Sequence, residues 1–365
     1  MAQVALLGAS GFTGRLTAAA LDRRGLPFVA AGRDAAAVGR AVAGYGSAVA
    51  TEVVDVTQRE SIDRLCAGAS VLLTTVGPFT QLGRPVLDAA LAAGCHYADS
   101  TGEQAFMRWA FDERGDMAER AGSCALPAFG FDYVPGDLLA AVAAATVEVP
   151  TEVHVSYLVR GRGVLASRGT RTTIGTLASE PMLAWAGGLR DERVGEERRL
   201  AWFSRPVGPR HAAGIPGGEP LTVPRHVPGV RVVRTYMAMP SIAAEGLQLA
   251  GAVARWAPAN RVMRRVLVLG PEGPSPAQRA ATRWACVAEV LGADAQVARA
   301  WANGHDVYGF TAEALALAAA RLVEGGARAA GVLAPAEAFD SESVLDELAD
   351  TAGLRWSVTS TTTRP

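Results

Sequence analysis

The stretch GASGFTG at residues 8–14 decides the fold of the amino-terminal part of this chain. It ends the apolar run VALLG at residues 4–8 and opens an Ala-rich segment with helical character. Gly8 allows a tight turn, Gly11 lets the backbone approach an anion, and Gly14 lets the helix pack against the strand. The free amides and positive end of the helix then face that anion. The stretch therefore predicts a dinucleotide pyrophosphate site. Its residues are Gly8, Ser10, Gly11, Phe12, Thr13 and Gly14.

The chain beyond this stretch alternates short apolar runs with Ala-rich segments, which is typical of βαβ units. The apolar runs are at residues 4–8, 28–31, 49–54, 71–76, 96–99 and 125–129. Helices are predicted at about residues 12–24, 35–44, 57–67, 82–93 and 104–121. Each is long enough for a right-handed crossover. The fold class predicted here is α/β, with a doubly wound parallel sheet of six strands.

The pattern changes after about Pro135. Polar and apolar residues alternate at 152–160, 230–237 and 284–302, with a hairpin turn at 292–294, after a helix at about 137–146. We expect a mixed or antiparallel sheet in a second α+β domain. Segments rich in Gly and Pro at 204–224 and 270–276 predict long loops, and the tail predicts helices at about 311–325 and 341–350.

Composition sets limits on function. The 365 residues are 50% hydrophobic and 19% charged, which indicates about two globular domains. There are 35 basic and 36 acidic residues, so no overall field attracts a nucleic acid. Every basic residue is Arg. The absence of Lys excludes a Schiff-base lysine, a Walker-A lysine and the Tyr-x-x-x-Lys acid of short-chain dehydrogenases.

The four cysteines lie in separate segments without a C-x-x-C pair. This predicts buried reduced thiols and no metal site. The amino terminus lacks a signal-peptide pattern, and no apolar window is long enough to span a membrane. We therefore expect a cytoplasmic protein.

The second strand ends in Gly32-Arg33, where an NAD-selective site would offer a carboxylate to the ribose. Arg33 can pair with a 2′-phosphate and lie over the adenine, which favours NADP. The alternative is a solvated Arg33 ahead of a helix capped by Asp34. Asp55, after the third strand, is a candidate for the adenine edge or an ordinary turn residue.

Two further turns follow the fourth and fifth strands, at the edge where ligands of doubly wound sheets bind. We expect both turns to flank the nicotinamide ribose. The predicted cofactor-binding residues there are Thr75, Val76, Gly77, Pro78, Phe79, Thr101 and Gly102.

These turns together resemble the saccharopine dehydrogenase-like oxidoreductases, a family that includes saccharopine reductases and trans-acting enoyl reductases. The resemblance rests on GASGFTG, AGR at 31–33, VGPF at 76–79 with the segment that follows it, and GFDYVPGD at 130–137. It is strong over about residues 1–140. Weaker matches follow at SRGT (167–170), GPSPAQR (273–279), DVYGFTAEA (306–314) and GVLAPAEAF (331–339).

The resemblance implies an NADP-binding Rossmann domain at 1–136, a substrate domain at 137–310, and C-terminal helices at 311–365 that pack back on the first domain. It also implies NADP(H) in a cleft between two domains. Many relatives read GFDSVPSD where this chain has Tyr133 and Gly136. That difference places a phenol near the expected path of the hydride.

A nicotinamide enzyme usually needs a group that protonates or polarises the acceptor. The predicted catalytic residues are Tyr133, Asp132 and Glu103. Tyr97, His96 and His154 are further candidates, the last of them expected to be exposed. Tyr133 leads because it follows the sixth strand, although a phenol packed as filler is the alternative. Glu103 is alternatively a cap of the helix at 104–121.

Two features bear on the substrate. Arg160, Arg162, Arg168 and Arg171 form either a cationic cluster for a carboxylate-rich substrate or the solvated edge of a sheet. Residues 242–269 have the pattern of a basic amphipathic helix, for which the alternatives are membrane-surface contact, a hydrophobic carrier-bound substrate, core packing or a homodimer interface.

We therefore expect an NADPH-dependent reductase of a polarised double bond, enoyl C=C or imine C=N, in a small or carrier-bound metabolite. The alternative is a catalytically silent NADP-binding protein that acts as a redox sensor or scaffold.

Overall fold

Residues 4–161, 166–177, 181–240, 243, 245–246 and 269–361 are described in the computed structural model of this protein. The chain divides into two units. The first unit contains Met1–Phe131 and Tyr308–Phe339, and the second contains Asp132–Val307 and Asp340–Pro365.

The first unit is built on a seven-stranded parallel sheet with the order β15-β6-β5-β4-β1-β2-β3. Its strands are β1 (Val4–Leu7), β2 (Phe28–Gly32), β3 (Ala48–Val53), β4 (Val71–Thr74), β5 (His96–Asp99), β6 (Cys124–Leu126) and β15 (Gly331–Val332). All residues of the central strands β1 and β4 are buried, as expected for parallel strands covered on both faces. The order reverses between β1 and β4, which is the point where doubly wound sheets bind ligands.

Helices connect these strands. They are α1 (Phe12–Arg23), α2 (Ala35–Val42), α3 (Arg59–Ala67), α4 (Phe79–Ala92), α5 (Gln104–Arg120), α10 (Val307–Val323) and the single turn α11 (Pro335–Ala338). Small Ala side chains let α1 pack closely on the sheet, and Ala18 and Ala20 are fully buried. The core contains Leu87, Tyr97 and Phe106, each with no exposed surface.

The second unit is built on a mixed sheet with the order β10-β11-β12-β7-β13-β14-β16, in which β8 also pairs with β12 and β9 pairs with β8. Its strands are β7 (Pro150–Arg160), β8 (Met182–Ala186), β9 (Leu189–Glu192), β10 (Arg198–Trp202), β11 (Pro209–Gly214), β12 (Val232–Ala238), β13 (Arg283–Gly292), β14 (Val297–His305) and β16 (Arg355–Thr361). Only the pair of β7 and β12 is parallel among these described pairings. The helices of this unit are α6 (Val134–Ala144), α7 (Arg168–Leu177), α8 (Glu219–His226), α9 (Pro276–Ala281) and α12 (Ser341–Ala352).

The predicted fold class is confirmed: a doubly wound parallel sheet is followed by a second domain with a mixed sheet. The parallel sheet has seven strands rather than the predicted six, because β15 pairs with β6. The first six strands and first five helices lie close to their predicted positions. The strand predicted at residues 152–160 is present as β7, and Val153, Val155 and Tyr157 are buried, as its alternation indicates. Ser156 and Leu158 on the opposite face are buried as well, so the second half of the strand is covered on both faces. All four cysteines are free and buried, as predicted.

The structure corrects the predicted domain boundaries of 1–136, 137–310 and 311–365. The first unit ends at Phe131 rather than at residue 136. Tyr308–Phe339 belongs to the first unit, in agreement with the predicted return of the C-terminal helices. Asp340–Pro365 belongs to the second unit instead, because β16 pairs with β14 there.

The predicted loop at 204–224 is also corrected. It contains β11 and most of α8, since strand pairing and burial outweigh the local effect of its Gly and Pro residues. Residues 242–269, predicted as an amphipathic helix, lie almost wholly outside the described residues. Among the helices that are described, none has both the length and the apolar character needed to cross a bilayer.

Candidate functional site

The turn between β1 and α1 requires glycine at two positions. Gly8 has a φ of +88°, which side chains disfavour, and its amide donates to Ala31 O at 2.9 Å. A Cβ at position 14 would lie 2.0 Å from Gly8 O. Gly14 therefore allows α1 to approach the end of β1, as the sequence predicted.

The first turn of α1 has the character of an anion site. Its N-cap residue, Gly11, has no side chain to accept from the helix amides, and the first turn carries no acidic residue. Gly11 N donates to Gly8 O and Arg15 N donates to Gly11 O, both at 2.9 Å. The three amides between them, from Phe12 to Gly14, have no i−4 partner within the helix and can face an anion. The residues present therefore fit the pyrophosphate of a dinucleotide.

The other residues of this turn lie beside the helix start. Ser10, Phe12 and Thr13 are half-buried. The Phe12 ring packs edge-on against Tyr308 at 5.0 Å between centroids. The ring thus takes part in packing, and the amide of Phe12 is the part that can serve the predicted site.

The end of β2 presents Arg33 to solvent. Gly32 is buried, and a Cβ there would meet Val38 Cγ2 at 3.0 Å. Asp34 caps α2 by accepting from Ala37 N at 2.9 Å, so the predicted cap is present. The exposed Arg33 guanidinium makes no hydrogen bond to any other described residue and lies in the field of Asp55. It remains available for a phosphate.

Asp55 closes its own turn. Its Oδ1 accepts from Thr57 N at 2.9 Å and from Thr57 Oγ1 at 2.8 Å. These two hydrogen bonds, with a smaller contribution from Arg33, lower the pKa of Asp55. The structure therefore favours the turn role of Asp55 that the sequence left open, and the adenine contact stays a prediction.

The fourth turn, which follows β4, lies next to the glycine turn. Thr75 Oγ1 donates to Gly8 O at 3.3 Å, and Thr75 and Val76 are half-buried. Gly77 is exposed and joins Pro78 through a cis peptide bond. Thr75 and Val76 adjoin the glycine turn, since a Cβ at Gly8 would lie 2.8 Å from a side-chain atom of each. Contact of this turn with the nicotinamide ribose stays a prediction.

The ring of Phe79, which was predicted as a cofactor contact, points into the core. Its side chain is 5% exposed and packs in the core, with its ring centroid 5.7 Å from that of Phe106. The ring at the start of α4 is thus held by apolar contacts with α5, and a cofactor contact by Phe79 stays a prediction.

Glu103 was predicted as a catalytic residue or as a cap of α5, but its carboxylate binds the start of α4 instead. Its buried carboxylate accepts from Phe79 N at 2.8 Å, Thr80 N at 2.9 Å and Thr80 Oγ1 at 2.7 Å. It makes no side-chain cap of α5. Glu103 therefore caps α4, and both of its oxygens are occupied.

The fifth turn is held from within. Thr101 is 2% exposed, and its Oγ1 accepts from Glu103 N at 3.1 Å. Gly102 is half-buried. Of these two predicted cofactor contacts, Gly102 is thus the more accessible one.

Asp99 is a residue of this region whose role the sequence did not reveal. Its fully buried carboxylate accepts from Tyr97 Oη at 2.7 Å, Thr101 N at 2.8 Å and Ala128 N at 2.8 Å. Burial raises the pKa of Asp99 to about 6, against the effect of these donors. Asp99 thereby ties the turn after β5 to the turn after β6. The only sequence signal was a carboxylate at the end of a buried strand.

The sixth turn carries Asp132 and Tyr133 at the start of α6. Tyr133 is the N-cap residue of that helix and is 3% exposed, and its carbonyl accepts from Asp137 N at 2.9 Å. Asp132 is accessible to solvent, yet the surrounding protein raises its pKa to about 6 through lost hydration. Both residues follow β6, as the sequence predicted, but the helix begins at Val134 rather than at about residue 137.

The remaining candidates are engaged elsewhere. Tyr97 is fully buried against Asp99, and His96 Nδ1 accepts from Cys124 N at 2.9 Å. His154 was expected to be exposed, but it packs beside Tyr236 and Glu152, with only 12% of its side chain exposed. Burial, followed by the positive charge of Arg199, lowers the pKa of His154 to about 4.

The arginines of the predicted cluster differ in their surroundings. Arg171 bonds to backbone carbonyls of Ala166 and Pro271, and Arg160 is exposed at the end of β7. Arg162 lies outside the described residues. A cationic substrate cluster therefore stays a prediction.

The amino-terminal part of the chain is similar to a known family of NADP-binding domains. The protein-family model of the saccharopine dehydrogenase NADP binding domain matches residues 4–126. Residues 4–126 are therefore similar to the NADP binding domain of saccharopine dehydrogenases. The resemblance predicted from the sequence is confirmed, and so is the predicted cofactor, NADP.

Relatives of this NADP-binding domain occur in mycobacteria. A putative trans-acting enoyl reductase of Mycobacterium tuberculosis is 39% identical over 140 residues, which are 37% of this chain and 33% of that protein. A trans-acting enoyl reductase of Mycobacterium ulcerans is 37% identical over 142 residues, which are 37% of this chain and 34% of that protein. The match thus spans about a third of the length of these relatives.

The fold likeness extends beyond the NADP-binding domain. Apo saccharopine dehydrogenase (L-Glu forming) from Saccharomyces cerevisiae superposes with a TM-score of 0.66, covering 99% of this chain and 100% of that one. The two sequences are 13% identical, so the comparison shows a common fold.

Proposed function

We propose that this chain is an NADPH-dependent reductase that reduces the polarised C=C bond of an enoyl group in a small or carrier-bound metabolite. The observation that carries the proposal is the glycine turn and uncapped start of α1 within an NADP binding domain. The names of the mycobacterial relatives, trans-acting enoyl reductases, favour an enoyl acceptor over an imine.

The proposed cofactor contacts follow the described geometry. The first turn of α1 holds the pyrophosphate, and Arg33 holds the 2′-phosphate. Thr75, Val76 and Gly102 line the side toward the nicotinamide. NADPH supplies the hydride when it is bound.

Proton delivery is assigned to the turn after β6. Tyr133 is the proposed donor because phenols carry their proton at neutral pH, and Asp132 is the second candidate because its pKa is about 6. Glu103 is no longer proposed, since its oxygens are occupied at α4. The lack of Lys means that no ammonium assists this step.

The test is a substrate panel. The purified protein is incubated with NADPH and an enoyl thioester, a simple enone or a cyclic imine, and NADPH absorbance and product mass are followed. We expect the enoyl thioester to be reduced fastest. Preferential reduction of the imine would replace the enoyl assignment. Tight NADPH binding with no oxidation across the panel would favour a silent binding protein and contradict the proposal.

Dimerisation and contact with a membrane surface through residues 242–269 stay predictions. Size-exclusion chromatography with light scattering and a vesicle flotation assay address them separately.

A further inference from the structure

A buried polar chain lies beneath the first turn of α6 in the second unit. Gly136 N donates to Tyr157 Oη at 3.1 Å, Tyr157 Oη donates to Glu219 Oε1 at 2.6 Å, and Thr235 Oγ1 donates to Glu219 Oε2 at 2.7 Å. The three side chains are between 0% and 3% exposed. We name Tyr157 and Glu219 the Tyr157–Glu219 pair.

Space for the pair depends on glycine. A Cβ at position 136 would lie 2.2 Å from Glu219 Oε1 and 2.4 Å from Tyr157 Oη. A Cβ at Gly217 would lie 2.1 Å from Thr235 Oγ1. Two positions without side chains therefore admit a carboxyl group to the interior. Apolar residues of similar volume usually fill such a space at lower energetic cost. This buried carboxyl therefore calls for an explanation beyond packing.

The pair contacts the segment that carries the proposed proton donor. Gly136 lies in the first turn of α6, three residues after the N-cap residue Tyr133. The side chain of the N-cap residue Tyr133 does not cap α6. Tyr157 instead supplies a hydrogen-bond acceptor for the Gly136 amide in the first turn of the helix. The position of that amide in turn fixes the backbone from which Asp132 and Tyr133 extend.

Helix α8 holds the same turn at a second point. Glu219 is its first residue and acts through Tyr157. His226 is its last residue, and His226 Nε2 donates to the fully buried Asp137 Oδ1 at 2.7 Å. Both ends of α8 are therefore connected to the first turn of α6 by hydrogen bonds, through the buried Glu219 at one end and the partly buried His226 at the other.

We propose that Tyr157 and Glu219 are positioning residues that hold the Asp132–Tyr133 turn in place for proton transfer. This inference rests on the proposed reductase function. Neither residue is assigned to contact substrate or cofactor.

The pair also has a charge that changes near neutral pH. Burial raises the pKa of Glu219 to about 7, opposed by the hydrogen bonds from Tyr157 and Thr235. The negative charge of Asp137 on α6 raises the pKa of Glu219 further. The charge of Glu219 in turn raises the pKa of Cys286 on β13. The negative charge of Asp132 contributes to the raised pKa of Tyr157, after the larger effects of burial and Glu219. Above about pH 7 the carboxylate accepts the Tyr157 hydroxyl, and below it Glu219 becomes a neutral acid and a weaker acceptor.

The first experiment measures hydrogen exchange and needs no substrate. We compare the wild type with Tyr157→Phe and with the control Tyr236→Phe, a buried tyrosine of β12 whose hydroxyl lies 3.4 Å from His154 Nδ1. We expect exchange at the Gly136 amide to rise about tenfold in Tyr157→Phe, as for a lost hydrogen bond, and to stay unchanged in Tyr236→Phe. Unchanged exchange in Tyr157→Phe would overturn the inference even if the protein is an active reductase.

The second experiment separates positioning from structural support. With the substrate found in the panel, Tyr157→Phe should lower kcat while the KM for NADPH stays the same. Glu219→Gln keeps an amide oxygen for Tyr157, so it should retain slow exchange at Gly136 but lose the inflection of kcat near pH 7. Glu219→Ala should lose both. Faster exchange in Tyr157→Phe with full kcat would overturn the positioning role. A wild type without turnover on any acceptor would contradict the reductase function, and exchange would still decide whether the pair holds the turn.

Discussion

The carboxylate of Glu103 accepts the amide of Phe79 at 2.8 Å across 24 residues of sequence. Together with the bond from Thr80 N at 2.9 Å, it satisfies two amides at the start of α4. A residue expected to take part in catalysis is thereby a link between the turns that follow β4 and β5.

Glu103→Ala should therefore destabilise the fold. It leaves two buried amides without an acceptor, which costs about 2–4 kcal/mol in the free energy of unfolding. The control Glu113→Ala, at an exposed site on α5, should change it by less than about 0.5 kcal/mol. Chemical denaturation monitored by circular dichroism measures both. If Glu103→Ala unfolds like the wild type and loses only turnover, Glu103 is catalytic after all.

Arg33→Ala should remove most of the preference for NADPH. A charge-assisted contact with the 2′-phosphate contributes about 1.5–3 kcal/mol, so NADPH affinity should fall by about 10-fold to 150-fold and NADH affinity should hardly change. Isothermal titration calorimetry measures the two affinities. Arg40→Ala, at an exposed residue of α2, is the control. Equal affinity of the wild type for the two nucleotides would remove the assignment of Arg33.

Asp99 should make the fold less stable as pH rises. Its pKa is raised to about 6 in the folded state, so the folded protein binds the proton more tightly than the unfolded chain does. The stabilisation is complete below about pH 4 and is lost as pH rises through 6, a change of about 3 kcal/mol. The free energy of unfolding of the wild type minus that of Asp99→Asn should fall by this amount across the window.

Asp55→Asn provides a contrast of opposite sign. The pKa of Asp55 is lowered, so its contribution is present above its unfolded pKa and is lost as pH falls. The prediction for Asp99 has its own contradicting outcome. If the free energy of unfolding of the wild type and of Asp99→Asn changes with pH in parallel, the Asp99 carboxyl does not titrate near pH 6.

Tyr133→Phe keeps the ring but removes the proposed proton donor. NADPH affinity should be nearly unchanged, while turnover falls by a factor of about 10²–10⁴, the usual effect of losing a general acid. Tyr45→Phe, at a half-buried tyrosine between α2 and β3, should leave turnover intact. Full turnover in Tyr133→Phe would make the phenol a packing group and would leave Asp132 or water as the proton source.

The sequence predicted the features that depend on neighbouring residues. Gly8 and Gly14 serve a turn whose geometry is set within seven residues, and the buried strands β1 and β4 follow from short apolar runs. Asp34 likewise caps the helix that directly follows it. Local spacing carries this information because the contacts themselves are local.

The features that the sequence did not reveal depend on distant partners. Tyr157 and Glu219 are 62 residues apart and meet only after β7 and α8 have packed against α6. Strand β16 exists because β14 offers it hydrogen-bond partners, and Phe79 points into the core because Phe106 lies opposite. Pairings of this kind are set by tertiary structure, which one sequence does not display.

Transfer of a deuterium label tests the central claim most directly. NADPH carrying deuterium on either face of C4 is incubated with the wild type and the best enoyl thioester, and the product is analysed by mass spectrometry. We expect the saturated product to carry the label from one face only, and the label to be absent when the protein is omitted. Labelled NADPH recovered intact beside unreacted thioester, at concentrations where calorimetry shows both bound, would contradict the reductase.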